Sequence, residues 1–202
     1  MEFNDYASGV FGLAGVIIGA GLTTLKDVYL QARKDRKALE YLAVQVSFAL
    51  DDYVRGALEV VCDDGLDDGQ RDDRGCLHPI AEYPELRPQA LEVDWTSLPA
   101  DMMHEVFDLP IRTKDAIGAI GQVGEHGVGP PDYEDYFEER VIQFASLGLQ
   151  ASDLADRIRS LAVLPGRRSM AGWNPVDELK TRSSIAKDRR VAREARLGRL
   201  AP

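Results

Sequence analysis

Residues 7–25, ASGVFGLAGVIIGAGLTTL, carry no charge in a chain where 29% of the residues are charged. This stretch narrows the architecture more than any other. A helix rises ~1.5 Å per residue, so these residues would cover roughly 28 Å, close to the ~30 Å hydrocarbon core of a bilayer. Tyr6 and Tyr29 bracket the stretch where an aromatic belt would sit. We therefore expect a single transmembrane helix over 7–25, after a short external N-terminus of residues 1–6. Five glycines dilute the segment, and the competing reading is a glycine-rich helix buried in a soluble core. Cleavage as a signal peptide fits poorly. Signal peptides carry their basic residues ahead of the apolar segment, and here they follow it.

Orientation follows from the same asymmetry. No Lys or Arg precedes the span, whereas Lys26, Arg33, Lys34, Arg36 and Lys37 come soon after it. The positive-inside rule places the N-terminus outside and the remainder in the cytoplasm. Arg33, Lys34, Arg36 and Lys37 are the expected contacts to anionic lipid, where each basic residue contributes ~1 kcal/mol.

Within the span, Ser8, Gly12, Gly15 and Gly19 are spaced four, three and four, and so share one helix face. Small residues let backbones approach in lipid, where no hydrophobic drive exists between helices. This face is the expected seam of a homo-oligomer, with packing against another membrane protein as the alternative.

Residues 26–62 read as one long juxtamembrane helix. Leu39, Ala43, Val46, Leu50, Tyr53, Ala57 and Val60 recur at alternating spacings of four and three. That is either a coiled-coil seam or the core stripe of a bundle. The flanking Leu42, Val54, Leu58 and Val61 widen the stripe, which favours a bundle.

Residues 63–97 form an acidic loop and a proline-containing connector. A calcium loop beginning at Asp64 would place Gly69 correctly but puts Leu66 and Gly75 at ligand positions. Cys62, Cys76 and His78 lack the short Cys-x-x-Cys spacing of a zinc site. Neither metal is expected.

A helical domain is expected over 98–173. Ser97 should cap a helix from Leu98 to about Asp108, and Pro110 should open the next one. Gly118, Gly121, Gly124 and Gly127 recur every third residue without matching a phosphate-binding loop, so close helix packing is the expected use. Asp132 should cap a helix running to about residue 163. Asn174 and Pro175 should start the last one, with Trp173 stapled back onto the core.

Residues 174–202 form that last, basic helix. From 180 onward it holds eight Lys and Arg against Asp188 and Glu194, in a chain of net charge −10. Arg189, Arg190 and Arg193 are expected on anionic lipid first, on the acidic body of the chain second, and on nucleic acid last. The overall acidity makes a general nucleic-acid partner unlikely.

No strand pair and no catalytic signature stands out, so the expected fold is all-α: one N-terminal transmembrane helix followed by a helical-bundle-like soluble domain. No cofactor is implied and no enzyme activity is expected. The expected function is a single-pass, membrane-anchored cytoplasmic scaffold or adaptor that binds the bilayer and a protein partner. The alternative is a small pore or lysis protein acting through the glycine-rich span. Removing residues 1–25 separates the two, since only the adaptor would keep a folded, partner-binding domain.

Overall fold

The computed structural model describes the backbone of residues 3–167 and 173–200, and the side chains of residues 26–167 and 173–196. The chain is all-α, and the described residues form four helices: α1 (Phe3–Cys62), α2 (Ala100–His126), α3 (Glu134–Leu161) and α4 (Pro175–Leu200). Two 3-10 turns, Pro88–Ala90 and Trp95–Ser97, punctuate the connector. Asp67 and Gln70 form an isolated antiparallel bridge.

α3 packs along each of the other three helices. The stripe on α1 meets it: Ala43, Val46, Leu50 and Ala57 are fully buried, and Leu42 widens the contact as expected. The seam is therefore covered by the chain's own bundle. Small residues set the spacing. A Cβ at Gly148 of α3 would sit 2.9 Å from Leu179 of α4 and 3.2 Å from Ala57 of α1. Three helices converge there because Gly148 has no side chain. α2 closes the far side through Val106, Leu109 and Ile120. It is also tied to α1 by hydroxyls 2.6 Å apart on Tyr53 and Thr113. Thr113 donates its own proton to the Leu109 carbonyl, so Tyr53 is the donor of the shared bond.

Several local expectations need correction. Pro110 does not divide α2; it lies inside one continuous helix. Proline there removes a helical hydrogen bond, but Val106 and Leu109 before it and Thr113 and Ala116 after it are all buried. Packing on both sides holds the helix together. Ser97 caps nothing, because it sits in a 3-10 turn and the α2 N-cap is Pro99. Asp132 pairs with Arg71 instead, and Tyr133, with left-handed φ, precedes α3. A Cβ at Gly118 or Gly121 would meet nothing within 4 Å, so those two glycines serve no close packing, whereas Gly124 lies against Tyr136. Asn174 does cap α4, accepting from the Val176 amide at 3.0 Å. Trp173 is 49% exposed rather than stapled into the core. α4 is less of a surface helix than its composition suggests, since Leu179, Ser183 and Ala186 are buried.

Beyond the bundle α1 continues alone. Every described residue from 26 to 37 is exposed, with burial beginning at 38. Among the described residues, local pairs support this stalk: Gln31 with Asp35, and Arg36 with Glu40. Such pairs add ~0.2–0.5 kcal/mol each. Among the described residues no helix is long and apolar enough to cross a membrane. The expected span, residues 7–25, lies outside the residues whose side chains are described.

Candidate functional site

Where α1 ends, the chain is knotted onto α3. Asp63 Oδ2 accepts from the Ile80 and Ala81 amides and from Arg140 Nη1 at 2.9, 3.0 and 2.8 Å. Its Oδ1 accepts from the Gly65 amide. Arg140 Nη2 donates to the Ala81 carbonyl. The two side chains are 4% and 1% exposed. Burial alone would push the Asp63 carboxyl up, but the Ala81 and Gly65 amides and the Arg140 guanidinium outweigh it and hold it below the usual carboxylate range.

Arg140 lies among the rings of Tyr83, Tyr136 and Phe137 at 5.3–5.8 Å. Tyr83 in turn stacks on Phe144. Burial raises the Tyr83 phenol well above its ordinary value, with the neighbouring Tyr136 hydroxyl adding to the effect. The knot explains why a loop so rich in aspartate is ordered at its root: Asp63 is buried, and only its neighbours are solvated. At Gly65 a positive φ and the Phe137 ring, 2.4 Å from where a Cβ would stand, both require glycine.

A second ionic tie fixes the other end. Asp51 of α1 accepts from Arg159 of α3 and, at 2.6 and 2.9 Å, from Arg167 in the segment that follows. Arg167 also donates to Ser152.

α4 is held by a third set. Arg193 makes paired bonds of 2.9 and 2.5 Å to Glu138 and lies 2.6 Å from Asp135. Arg190 reaches Glu139 at 2.7 Å and Glu138 at 3.8 Å. Two of the three α4 residues expected on lipid are thus turned toward the acidic face of α3. Arg189 remains exposed. On the stalk, Arg33, Lys34 and Lys37 are exposed, and Arg36 is exposed beside Glu40. Ser8, Gly12, Gly15 and Gly19 fall in the segment whose side chains are not described.

Between the end of α1, the start of α3 and the length of α4 runs a groove of about 730 Å³. Val61, Leu77, Phe137 and Val141 line one side; Ile185, Arg189, Ala192 and Arg196 of α4 line the other. Cys62 opens onto it as a free thiol, pushed up mainly by burial and drawn down by Arg182. Cys76 is also free, bonded weakly to the Arg74 carbonyl. Among the described residues no group of three or more His, Cys, Asp or Glu side chains could hold a metal ion.

Sequence reasoning set Arg140 at a helically spaced position of the 132–163 helix but gave it no role, and it did not find the groove. Arg140 had a signal, since it is a cation in the apolar stripe of α3. The groove had none, because it depends on how α4 docks. No family model, curated protein or solved structure matches this chain.

Proposed function

We propose that this chain is a membrane-anchored helical adaptor, with residues 7–25 spanning the bilayer and the bundle held on the cytoplasmic side. The observation that carries the reading is the continuity of α1. One helix of 60 residues joins the uncharged segment to the core stripe through a bare basic stalk. A lone helix of that kind is marginal in water and gains support when its far end is embedded. The stalk's exposed Arg33, Lys34 and Lys37 stand where a cytoplasmic leaflet would attract them. The groove beside α4 offers a surface on which an adaptor could act.

Fractionation tests the anchor. The full-length chain should stay with membranes through high salt and alkaline carbonate and leave only with detergent. A truncated chain of residues 26–202 should be soluble and folded. Recovery of the full-length chain in the soluble fraction would sink the reading. Exposed Cys62 reports orientation: an impermeant thiol reagent should not label it in intact cells.

A further inference from the structure

Most of the charges lining the groove are spent inside the molecule. Glu138 holds Arg193, Asp63 holds Arg140, and Asp132 holds Arg71. Arg182 pairs with Glu178 and feels Asp64, which itself accepts from the Leu66 amide. Asp64 is exposed and makes no ion pair among the described residues, and Glu134, 61% exposed, only approaches Arg193 at 4.0 Å. Two lining cations are likewise unpaired. Arg189 and Arg196 are exposed and make no ion pair among the described residues.

They stand seven residues apart, two helical turns, or roughly 10 Å along α4. Ala192 lies between them, and Ile185 precedes Arg189 by about one turn; both line the same groove. The rest of the lining combines Val61, Leu77, Phe137 and Val141 with the acidic Asp64, Asp132, Glu134 and Glu138. The groove is therefore a mixed trough: an apolar strip beside the carboxylates of Asp64 and Glu134, with two cations that make no ion pair among the described residues along the α4 edge, two helical turns apart.

That pattern selects an occupant. A bilayer surface is flat and does not enter a concavity bounded by three elements. A small anion would satisfy one arginine and leave the apolar side uncovered. A volume of about 730 Å³ admits the ridge of side chains from one helix face rather than a whole helix. An amphipathic helix laid in a groove is a common recognition mode, and paired opposite charges fix its register.

We propose that the groove binds an amphipathic helix of a partner protein, whose carboxylates seven residues apart meet Arg189 and Arg196 and whose apolar residues between them enter the trough. This rests on the adaptor reading and names the chemistry of its partner.

The test uses the full-length chain in nanodiscs of neutral phosphatidylcholine, or in plain buffer if it needs no lipid. The probe is a blocked, fluorescent peptide of about three heptads, with Glu seven residues apart and Leu between them on one face. Anisotropy should show saturable binding that weakens with salt. Arg189→Glu with Arg196→Glu should weaken it at least ~tenfold, and a peptide with Lys in place of Glu should then bind the double variant better than wild type. Arg189→Gln with Arg196→Gln, which adds no charge, should fall between the two. Unchanged melting of both variants shows that the fold is intact. The proposal is overturned by absence of binding to wild type, by equal binding to wild type and double variant, or by failure of the Lys peptide to reverse the preference. Adventitious capture of anionic vesicles through these arginines, without peptide binding, also overturns it. Because the readout needs no membrane, its failure is distinct from failure of the anchor, which fractionation reads.

Discussion

Of the ionic systems that grip α3, two differ sharply in access to water. At the root of the acidic loop, the Asp63 and Arg140 side chains are at most 4% exposed and every Asp63 bond is internal. Along α4, Arg190 and Arg193 are 30% and 26% exposed, and they cover Glu138 and Glu139, each 10% exposed. The charges are of the same kind, but the consequences of losing a partner differ. A carboxylate left alone under α4 is uncovered when the part-exposed arginine above it is removed, and so can regain water. A guanidinium left alone in the knot cannot. The first system behaves as part of the core, the second as an adjustable clasp.

The largest effect should come from removing one member of the knot. Asp63→Ala strands Arg140 in a buried site, and breaking such a pair costs about 3–5 kcal/mol. Urea unfolding of the truncated chain 26–202 should show the loss. A change under about 1 kcal/mol would mean that water already reaches the knot and that the contrast is false.

Acid sharpens the same contrast with a smaller signal. The Asp63 carboxyl is held below its ordinary value in the fold. Its contribution is complete above the unfolded value of ~3.9 and is lost as pH falls through the folded one. Asp63→Asn should therefore start less stable at neutral pH. It should also lose less than wild type as pH falls below about 4. Parallel acid limbs for the two proteins would remove Asp63 from the account.

The smallest effect belongs to the clasp. Arg190→Ala with Arg193→Ala should cost about 1–2 kcal/mol at low salt and less at high salt, since partly exposed pairs are weak and screened. Hydrogen exchange should quicken in the second half of α4, while the turn around Leu179 stays protected by its burial. Uniform destabilisation of the whole bundle would show that the clasp is core after all.

How much of this was legible depended on whether a residue's role is local. The α1 stripe and the Asn174 cap are read from spacing, and both stand in the structure. Pro110 misled because its local preference was overridden by burial on either side. Asp132 misled because Arg71, distant in sequence, claimed its carboxylate. The direction of Arg190 and Arg193 could be guessed from opposite charge alone, but the ranking against lipid needed the docking of α4. Asp63 sat in a run of aspartates, and nothing nearby marked the one that turns inward.

The unbroken course of α1 from stalk to core has a geometric consequence. Residues 26–62 contain no proline and only Gly56, which lies inside the bundle, so the stalk has no joint. Its length then sets both the height and the heading of the domain it carries. Each residue added to the stalk would lift the domain by ~1.5 Å and turn it by ~100°. Inserting seven residues nearly restores the heading and raises the domain ~10 Å, whereas inserting two points it almost the opposite way. A partner fixed in the same plane would distinguish those two chains, though their folds were identical.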